Sequence, residues 1–352
     1  MKALPLNASG KVDRRALPAL APLAGGPAQS QAAPRDMLEQ VITGIWERVL
    51  GRSGIGVHDH FFEIGGHSLL AAELVDAIER ETGIAVALTA LFADDTVAGL
   101  AGAMRSPPEE LAAPVIALNG GGTRPPLVFL HGDLSGGGFY SRALARALGP
   151  EQPVLVVQPH GLDHAPIPET IEAMAADRLR ALATLQPRGP YLLGGYCNGA
   201  FVAFEMARQL AARGEDVPLV VVIEATAPHG GASTDAPGDR YVTFDRGGVR
   251  ALTARDRASE AQLRHSRAMD RYVGGPFAQR LVVVRTAAGR DPRRDLGWGR
   301  FAPRTELDVL PGDHVTLVTR HVGLLARALR AAIERTLAAR AAVSFRNEAD
   351  ER

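Results

Sequence analysis

The chain has 352 residues, of which 46% are hydrophobic and 22% charged; this is the composition of soluble globular protein, at a length that suits two or three domains. Its 39 Lys+Arg balance 39 Asp+Glu, so no net field favours nucleic acid or a membrane surface as a partner. No apolar run approaches the roughly 20 residues of a membrane span, and the start Met1-Lys2-Ala3-Leu4-Pro5 carries no signal-peptide core. A single cysteine, Cys197, excludes an internal disulfide and leaves the cytoplasm as the expected compartment.

The first segment, Leu4 to Pro18, is too short to fold alone. It contains Asn7-Ala8-Ser9-Gly10-Lys11-Val12-Asp13 and resembles the last motif of an adenylation domain, with Lys11 at the motif's lysine. The resemblance makes residues 1–18 a remnant with no chemistry of its own. Residues 19–35 are rich in Ala, Pro, Gly and Gln without periodicity and read as a linker.

From Pro34 the pattern turns helical, with Met37, Val41, Ile42, Ile45 and Val49 mostly three and four residues apart. A Gly-rich loop leads to Phe61-Phe62-Glu63-Ile64-Gly65-Gly66-His67-Ser68-Leu69-Leu70, where Ser68 opens a second amphipathic helix through Leu74, Val75 and Ile78 to Gly83. Read by itself, Ser68 is a helix N-cap. The stretch as a whole, between two such helices, resembles a peptidyl carrier domain, a small four-helix fold assigned to residues 36–106. The resemblance implies that Ser68 bears covalent 4'-phosphopantetheine. A helix N-terminus suits that phosphodiester, because its free N–H groups and positive dipole end face an anion.

Pro107-Pro108 to Pro125 reads as a second linker, and the remainder alternates apolar runs with helical stretches. Strands are expected at Leu127–Leu130, Val154–Val157, Tyr191–Leu193, Val217–Ile223, Leu281–Val284 and Leu307–Leu310. Helices are expected at Ile171–Leu185 and Phe201–Ala212. Buried strands alternating with helices predict a doubly wound, mainly parallel sheet over 126–340, a helical lid over about 225–279 and a tail at 341–352.

After the strand at Tyr191 comes Gly194-Gly195-Tyr196-Cys197-Asn198-Gly199-Ala200, a nucleophile elbow with cysteine in the serine position. Gly195 and Gly199 are expected because a side chain there would collide with a neighbouring strand or helix. The segment resembles α/β-hydrolases, and among them the terminal thioesterases of nonribosomal peptide synthetases. That resemblance implies Cys197 as nucleophile, His314 in Pro311-Gly312-Asp313-His314 as base, and a long final helix beginning near Val315. It places the acid at Glu224, where these thioesterases usually carry aspartate; the alternative is Asp291, where many other α/β-hydrolases place theirs. Backbone N–H groups of Asp133 (with Leu134 as the alternative) and Asn198 would form the oxyanion hole. His321 falls in the final helix, His265 in the lid, and His58, His60 and His67 in the carrier, all read as structural or solvated. Eight arginines between Arg240 and Arg271 are interspersed with acids and read mostly as a solvated face.

The expected reaction is transfer of a carrier-bound peptidyl thioester to Cys197, followed by release. A cysteine acyl-enzyme keeps the acyl-transfer potential of a thioester and favours amine attack. On that point the chain resembles cysteine thioesterases that close β-lactam rings, the monobactam-forming (sulfazecin-type) ones above all. β-Lactone formation, macrocyclisation, hydrolysis, or a non-catalytic docking domain are the alternatives. The expected partners are the peptidyl thioester, the chain's own carrier docking on the thioesterase, and upstream synthetase domains; no metal is called for.

Overall fold

The computed structural model describes residues 32–105, 113–134, 138–161, 166–228, 242–245, 248–251, 260–289 and 291–350. The adenylation-like remnant with Lys11 lies outside the described residues, as do most of the first linker and much of the lid.

Four helices form the carrier: α1 (Met37–Leu50), α2 (Ser68–Thr82), α3 (Leu88–Ala93) and α4 (Val97–Met104). The three- and four-residue spacing of α1 puts Leu38, Ile42, Ile45 and Trp46 on one face, all fully buried. Trp46 meets Phe61 edge-on with ring centroids 5.0 Å apart. Asp36 caps α1 by accepting from Glu39 N–H at 2.9 Å, and Gly51 ends it in the left-handed region at φ 64°.

Seven strands form the main sheet: β1 (Val115–Leu118), β2 (Leu127–Leu130), β3 (Val154–Val157), β4 (Leu192–Tyr196), β5 (Leu219–Ile223), β8 (Leu281–Thr286) and β9 (Thr305–Leu310). Their order is β1-β3-β2-β4-β5-β8-β9, and only β1 runs antiparallel to its neighbour. Helices α5 (Tyr140–Leu148), α6 (Ile171–Leu182), α7 (Gly199–Ala212), α9 (His314–Val318) and α10 (Val322–Asp350) flank it. Strand residues alternate between two cores. Leu127 and Phe129 pack on the face shared with α5, α10 and the carrier, whereas Val128 and Leu130 pack on the face shared with α6 and α7. The segment taken as a lid contains the hairpin of β6 (Val242–Asp245) and β7 (Gly248–Ala251), then α8 (Glu260–Arg271).

Three expectations change. Val115–Leu118, read as linker, is an edge strand on β3; at four residues between Pro114 and Asn119 it is too short to show a period. The final helix is broken after Val318, leaving His321 in the turn before α10. Residues read as a tail continue α10 to Asp350.

The carrier meets the sheet domain through the end of α2. Gly83 O accepts from Arg146 Nη2 of α5 at 2.8 Å, and a Cβ on Gly83 would lie 2.8 Å from Ala143 N.

Candidate active site

Strand register assembles the site. Tyr196 pairs with Ile223, Ile223 with Val284, and Thr286 with Leu310, so the carboxyl ends of β4, β5, β8 and β9 lie side by side. Cys197 and Glu224 each follow a strand by one residue, and His314 follows β9 by four. Ligands of open α/β sheets bind at this carboxyl edge.

Cys197 occupies the bend between β4 and α7 at φ 54°, a left-handed conformation that L side chains rarely adopt. The bend is held by Cys197 N–H donating to Ile223 O at 2.9 Å. A Cβ on Gly195 would sit 2.4 Å from Ala200 Cα, and one on Gly199 would sit 2.3 Å from Leu130 O. Steric collision therefore fixes both glycines, as expected. The thiol is half-buried and lies 3.7 Å from Asn198 Oδ1.

His314 is 6% exposed at the start of α9, with Nδ1 3.5 Å from Glu224 Oε2. Its loop is locked by a reciprocal cap: Asp313 Oδ1 accepts from Thr316 N–H at 2.8 Å, and Thr316 Oγ1 accepts from Asp313 N–H at 2.8 Å. Tyr196 Oη donates to His314 O at 2.6 Å, and the two rings are 4.7 Å apart. Burial alone would lower the imidazole pKa, but the neighbouring Cys197 sulfur and Glu224 carboxylate outweigh it and raise it to about 9. Glu224 sits at φ 50°, and its Oε1 accepts from Thr286 N–H at 2.5 Å. Burial pushes its pKa up, and the His314 contact with the Thr286 N–H more than reverses this, so the carboxylate stays ionised.

The rival acid is placed elsewhere. Asp291 accepts from Arg293 Nη2 at 2.7 Å and from Thr226 Oγ1 at 3.2 Å. The Arg293 contact holds its pKa down to about 2. The turn after β2 does reach the elbow, since a Cβ on Gly132 would be 2.7 Å from Asn198 N and 3.0 Å from Cys197 Cβ. Asp133 is buried there, its Oδ2 accepting from Gly138 N–H at 3.3 Å.

In the carrier, Ser68 is the first residue of α2 and not its cap. His67 is the cap, its Nδ1 accepting from Leu70 N–H at 3.4 Å. The Ser68 hydroxyl is exposed and takes no part in ending the helix. A Cβ on Gly66 would strike the Phe61 ring at 2.3 Å, so the turn presenting Ser68 is shaped by packing. An exposed hydroxyl beside the free N–H groups of a 15-residue helix fits a phosphodiester.

His265 is buried with Nε2 2.9 Å from His160 O, while His60 Nδ1 lies 2.6 Å from Asp95; neither makes a described contact with Cys197, His314 or Glu224. Of the lid arginines, only Arg264, Arg267 and Arg271 have described side chains, all on α8. Sequence reasoning missed Arg178, which is 3% exposed and lies beside the elbow. Its signal was present: Ile171, Met174, Ala175, Arg178 and Leu182 share the buried face of α6, so a guanidinium occupies an apolar stripe.

Comparison with known proteins agrees with this architecture. Residues 125–333 match the thioesterase domain family, and residues 40–104 match the phosphopantetheine attachment site. The chain belongs to the thioesterase family and carries a phosphopantetheine-bearing carrier segment ahead of that domain. It is 36% identical over 249 residues to chondramide synthase of Chondromyces crocatus, covering 67% of this chain and 6% of that protein. It is also 36% identical over 243 residues to a dimodular nonribosomal peptide synthase of Bacillus subtilis, covering 68% and 10%. The chain thus spans a small fraction of these relatives.

Among solved structures, a four-domain nonribosomal peptide synthetase bound to AMP and glycine superposes with TM-score 0.53 at 25% identity, covering 94% of this chain and 28% of the other. The NocB thioesterase domain, in covalent complex with a fluorophosphonate nocardicin G analogue, gives TM-score 0.50 at 26% identity, covering 62% and 99%. Among the described residues no helix is long and apolar enough to cross a membrane.

Proposed function

We propose that the thioesterase domain takes a peptidyl group from the carrier onto Cys197 and releases it by intramolecular amine attack, closing a β-lactam ring. The observation that carries this reading is the sulfur of Cys197 in the strained elbow, served by an imidazole that is itself held by Glu224. Phosphopantetheine, esterified to Ser68, supplies the thiol on which the peptide arrives as a thioester.

His314 is an imidazolium at neutral pH, its pKa held at about 9, and the nucleophilic form of a cysteine is its thiolate. The thiolate attacks the thioester carbonyl. Main-chain N–H groups of Asn198 and Asp133 stabilise the oxyanion. The new C–S bond to Cys197 forms as the old one breaks, and His314 gives its proton to the departing sulfur. In the second half, an amine of the peptide attacks the acyl-Cys197 carbonyl and His314 accepts its proton. The C–N bond forms, the bond to Cys197 breaks, and the thiolate–imidazolium pair is restored.

The identity of the nucleophile decides between release modes. An oxoester on serine lies well below a thioester in acyl-transfer potential, so a serine elbow is a poor place from which to close a strained four-membered ring. A thioester on Cys197 keeps that potential and reacts better with amines than with water. The ring closure considered is of the monobactam kind, in which the β-nitrogen of a C-terminal diaminopropionyl residue, already N-sulfonated, attacks its own carbonyl.

The test is to load the full chain with such a peptide and weigh the product. Ring closure gives a mass 18 Da below the linear acid, the difference of one water. Linear acid alone overturns the proposal. Cys197→Ser separates hydrolysis from cyclisation: hydrolysis should survive the change and ring closure should fall sharply.

A further inference from the structure

Tyr196, the residue before the nucleophile, holds His314 from two directions. It ends β4 and is fully buried. Its hydroxyl donates to the main-chain carbonyl of His314 at 2.6 Å. Its ring lies against the imidazole of the same residue, with centroids 4.7 Å apart and planes inclined by 34°. Tyr140 packs edge-on against the Tyr196 ring at 5.2 Å and 71°, and Phe139 against Tyr140 at 5.4 Å. The phenol ring is therefore fixed by its own packing before it fixes anything else.

His314 needs outside support. It opens α9, a five-residue helix that its own hydrogen bonds hold weakly. The Asp313–Thr316 cap secures the main chain ahead of the histidine, and the Tyr196 hydroxyl secures the carbonyl behind it. Burial first, then Tyr140, Cys197, Glu224 and Asp313 around it, hold that hydroxyl well above the ordinary phenol pKa, so it stays a donor through the alkaline range. The ring has a second effect. An aromatic face within about 6 Å of a cation attracts it, more strongly where water is excluded. The protonated imidazole thus gains from Tyr196 as well as from Cys197 at the elbow and Glu224 after β5, while Asp313 on its own loop is engaged by the N–H groups of Val315 and Thr316. Tyr196 and Cys197 are consecutive, so one peptide unit joins the seat of the base to the bend of the nucleophile.

We propose that Tyr196 is a positioning residue for acyl transfer: its hydroxyl seats the backbone of His314, and its ring face favours the imidazolium over the neutral ring. It acts through His314 and touches no substrate. The role rests on the reading of Cys197 as the acylated residue with His314 as its base.

The experiment follows acyl-Cys197 by intact mass on the full chain, with a soluble N-acetylcysteamine thioester, across the neutral and alkaline range. Tyr196→Phe keeps the ring and loses the hydroxyl. Its saturating acylation rate should fall about 10-fold through misalignment of the base, with half-saturation unchanged and the alkaline limb in place. Tyr196→Leu loses both groups, and its alkaline limb should move down by about 1 pH unit. Should Tyr196→Leu fail to fold, trifluorophenylalanine incorporated at position 196 keeps nearly the shape of phenylalanine with a depleted ring face, and should move the limb down relative to Tyr196→Phe. A merely structural tyrosine would lower the melting temperature without moving the limb. An undiminished saturating rate in Tyr196→Phe, or the same alkaline limb with and without an electron-rich ring, overturns the role. If the parent chain itself forms no acyl-Cys197, the underlying reading fails first; a parent that acylates while the variants match it overturns the positioning role alone.

Discussion

Replacing Glu224 by glutamine removes one charge and leaves the shape of the site. One glutamate oxygen accepts from Thr286 N–H at 2.5 Å, and the other lies 3.5 Å from His314 Nδ1. Glutamine keeps the first contact with its carbonyl oxygen, which turns its NH2 towards Nδ1. A donor facing Nδ1 forces the neutral ring to carry its proton on Nε2, on the side of Cys197, where the general base needs a lone pair. The charge effect acts in the same direction. Two unit charges at that separation interact by about 5 kcal/mol at an effective dielectric constant of about 20, equivalent to about 3.5 pKa units at 1.36 kcal/mol each. Burial opposes protonation of His314, and the Cys197 and Glu224 charges bring its pKa to about 9. Without Glu224 it should fall by about 3.5 units, the Cys197 contribution being the same before and after. Acyl transfer needs the imidazolium to protonate the departing thiol, so the alkaline limb of kcat/KM should move down by the same amount. The peak rate should drop about 100-fold, less than the roughly 10⁴-fold loss known for the acid of a serine triad, because a thiol needs less help from a base than a hydroxyl does. The assay is acyl-Cys197 formation from a soluble thioester across the neutral and alkaline range. An unmoved alkaline limb would refute the argument.

Asp291→Asn should stay within about threefold of the parent activity, since its carboxylate serves Arg293 and Thr226; a 100-fold loss would make it the acid. Ser68→Ala should abolish the pantetheinyl mass increment while the melting temperature of the apo-protein holds, because His67 supplies the cap and exposed substitutions usually cost no more than about 0.5 kcal/mol. Gly199→Ala should destabilise by at least about 1–3 kcal/mol in denaturant titration, as its Cβ would lie 2.3 Å from Leu130 O. Arg146→Ala should slow transfer from the attached carrier and spare transfer from a soluble thioester, because it touches Gly83 O and not the triad; equal slowing of both would remove docking from its role. His314 also ties fold stability to pH. Its folded pKa lies above the ordinary 6.5, so its contribution is complete below that value and is lost as pH rises through about 9.

The core strands were legible because each is a short apolar run bounded by turn residues; Leu127–Leu130 and Val154–Val157 appear with the bounds expected. Edge strand β1 and the β6–β7 hairpin carry no such signal, and their pairing depends on partners distant in sequence. In the site, the elbow glycines and the Gly312-Asp313-His314 loop identify themselves locally. The choice between Glu224 and Asp291 does not: it needs the register that sets β5 between β4 and β8, together with the Arg293 pair that occupies Asp291. The break after Val318 was hidden for a similar reason, since the apolar spacing continues through it. Reading Ser68 as a cap failed on geometry alone, because histidine at the preceding position accepts the hydrogen bond that serine would have taken.

The central claim is a covalent acyl-cysteine at residue 197, and trapping it tests that claim directly. The carrier is loaded with a peptidyl-pantetheine, the reaction is quenched in acid before turnover completes, and proteolytic fragments are weighed. The account predicts the peptidyl mass on the fragment containing Cys197, removable by hydroxylamine and absent from Cys197→Ala. Release of product with no adduct on that fragment, or with the adduct on another side chain, would contradict it.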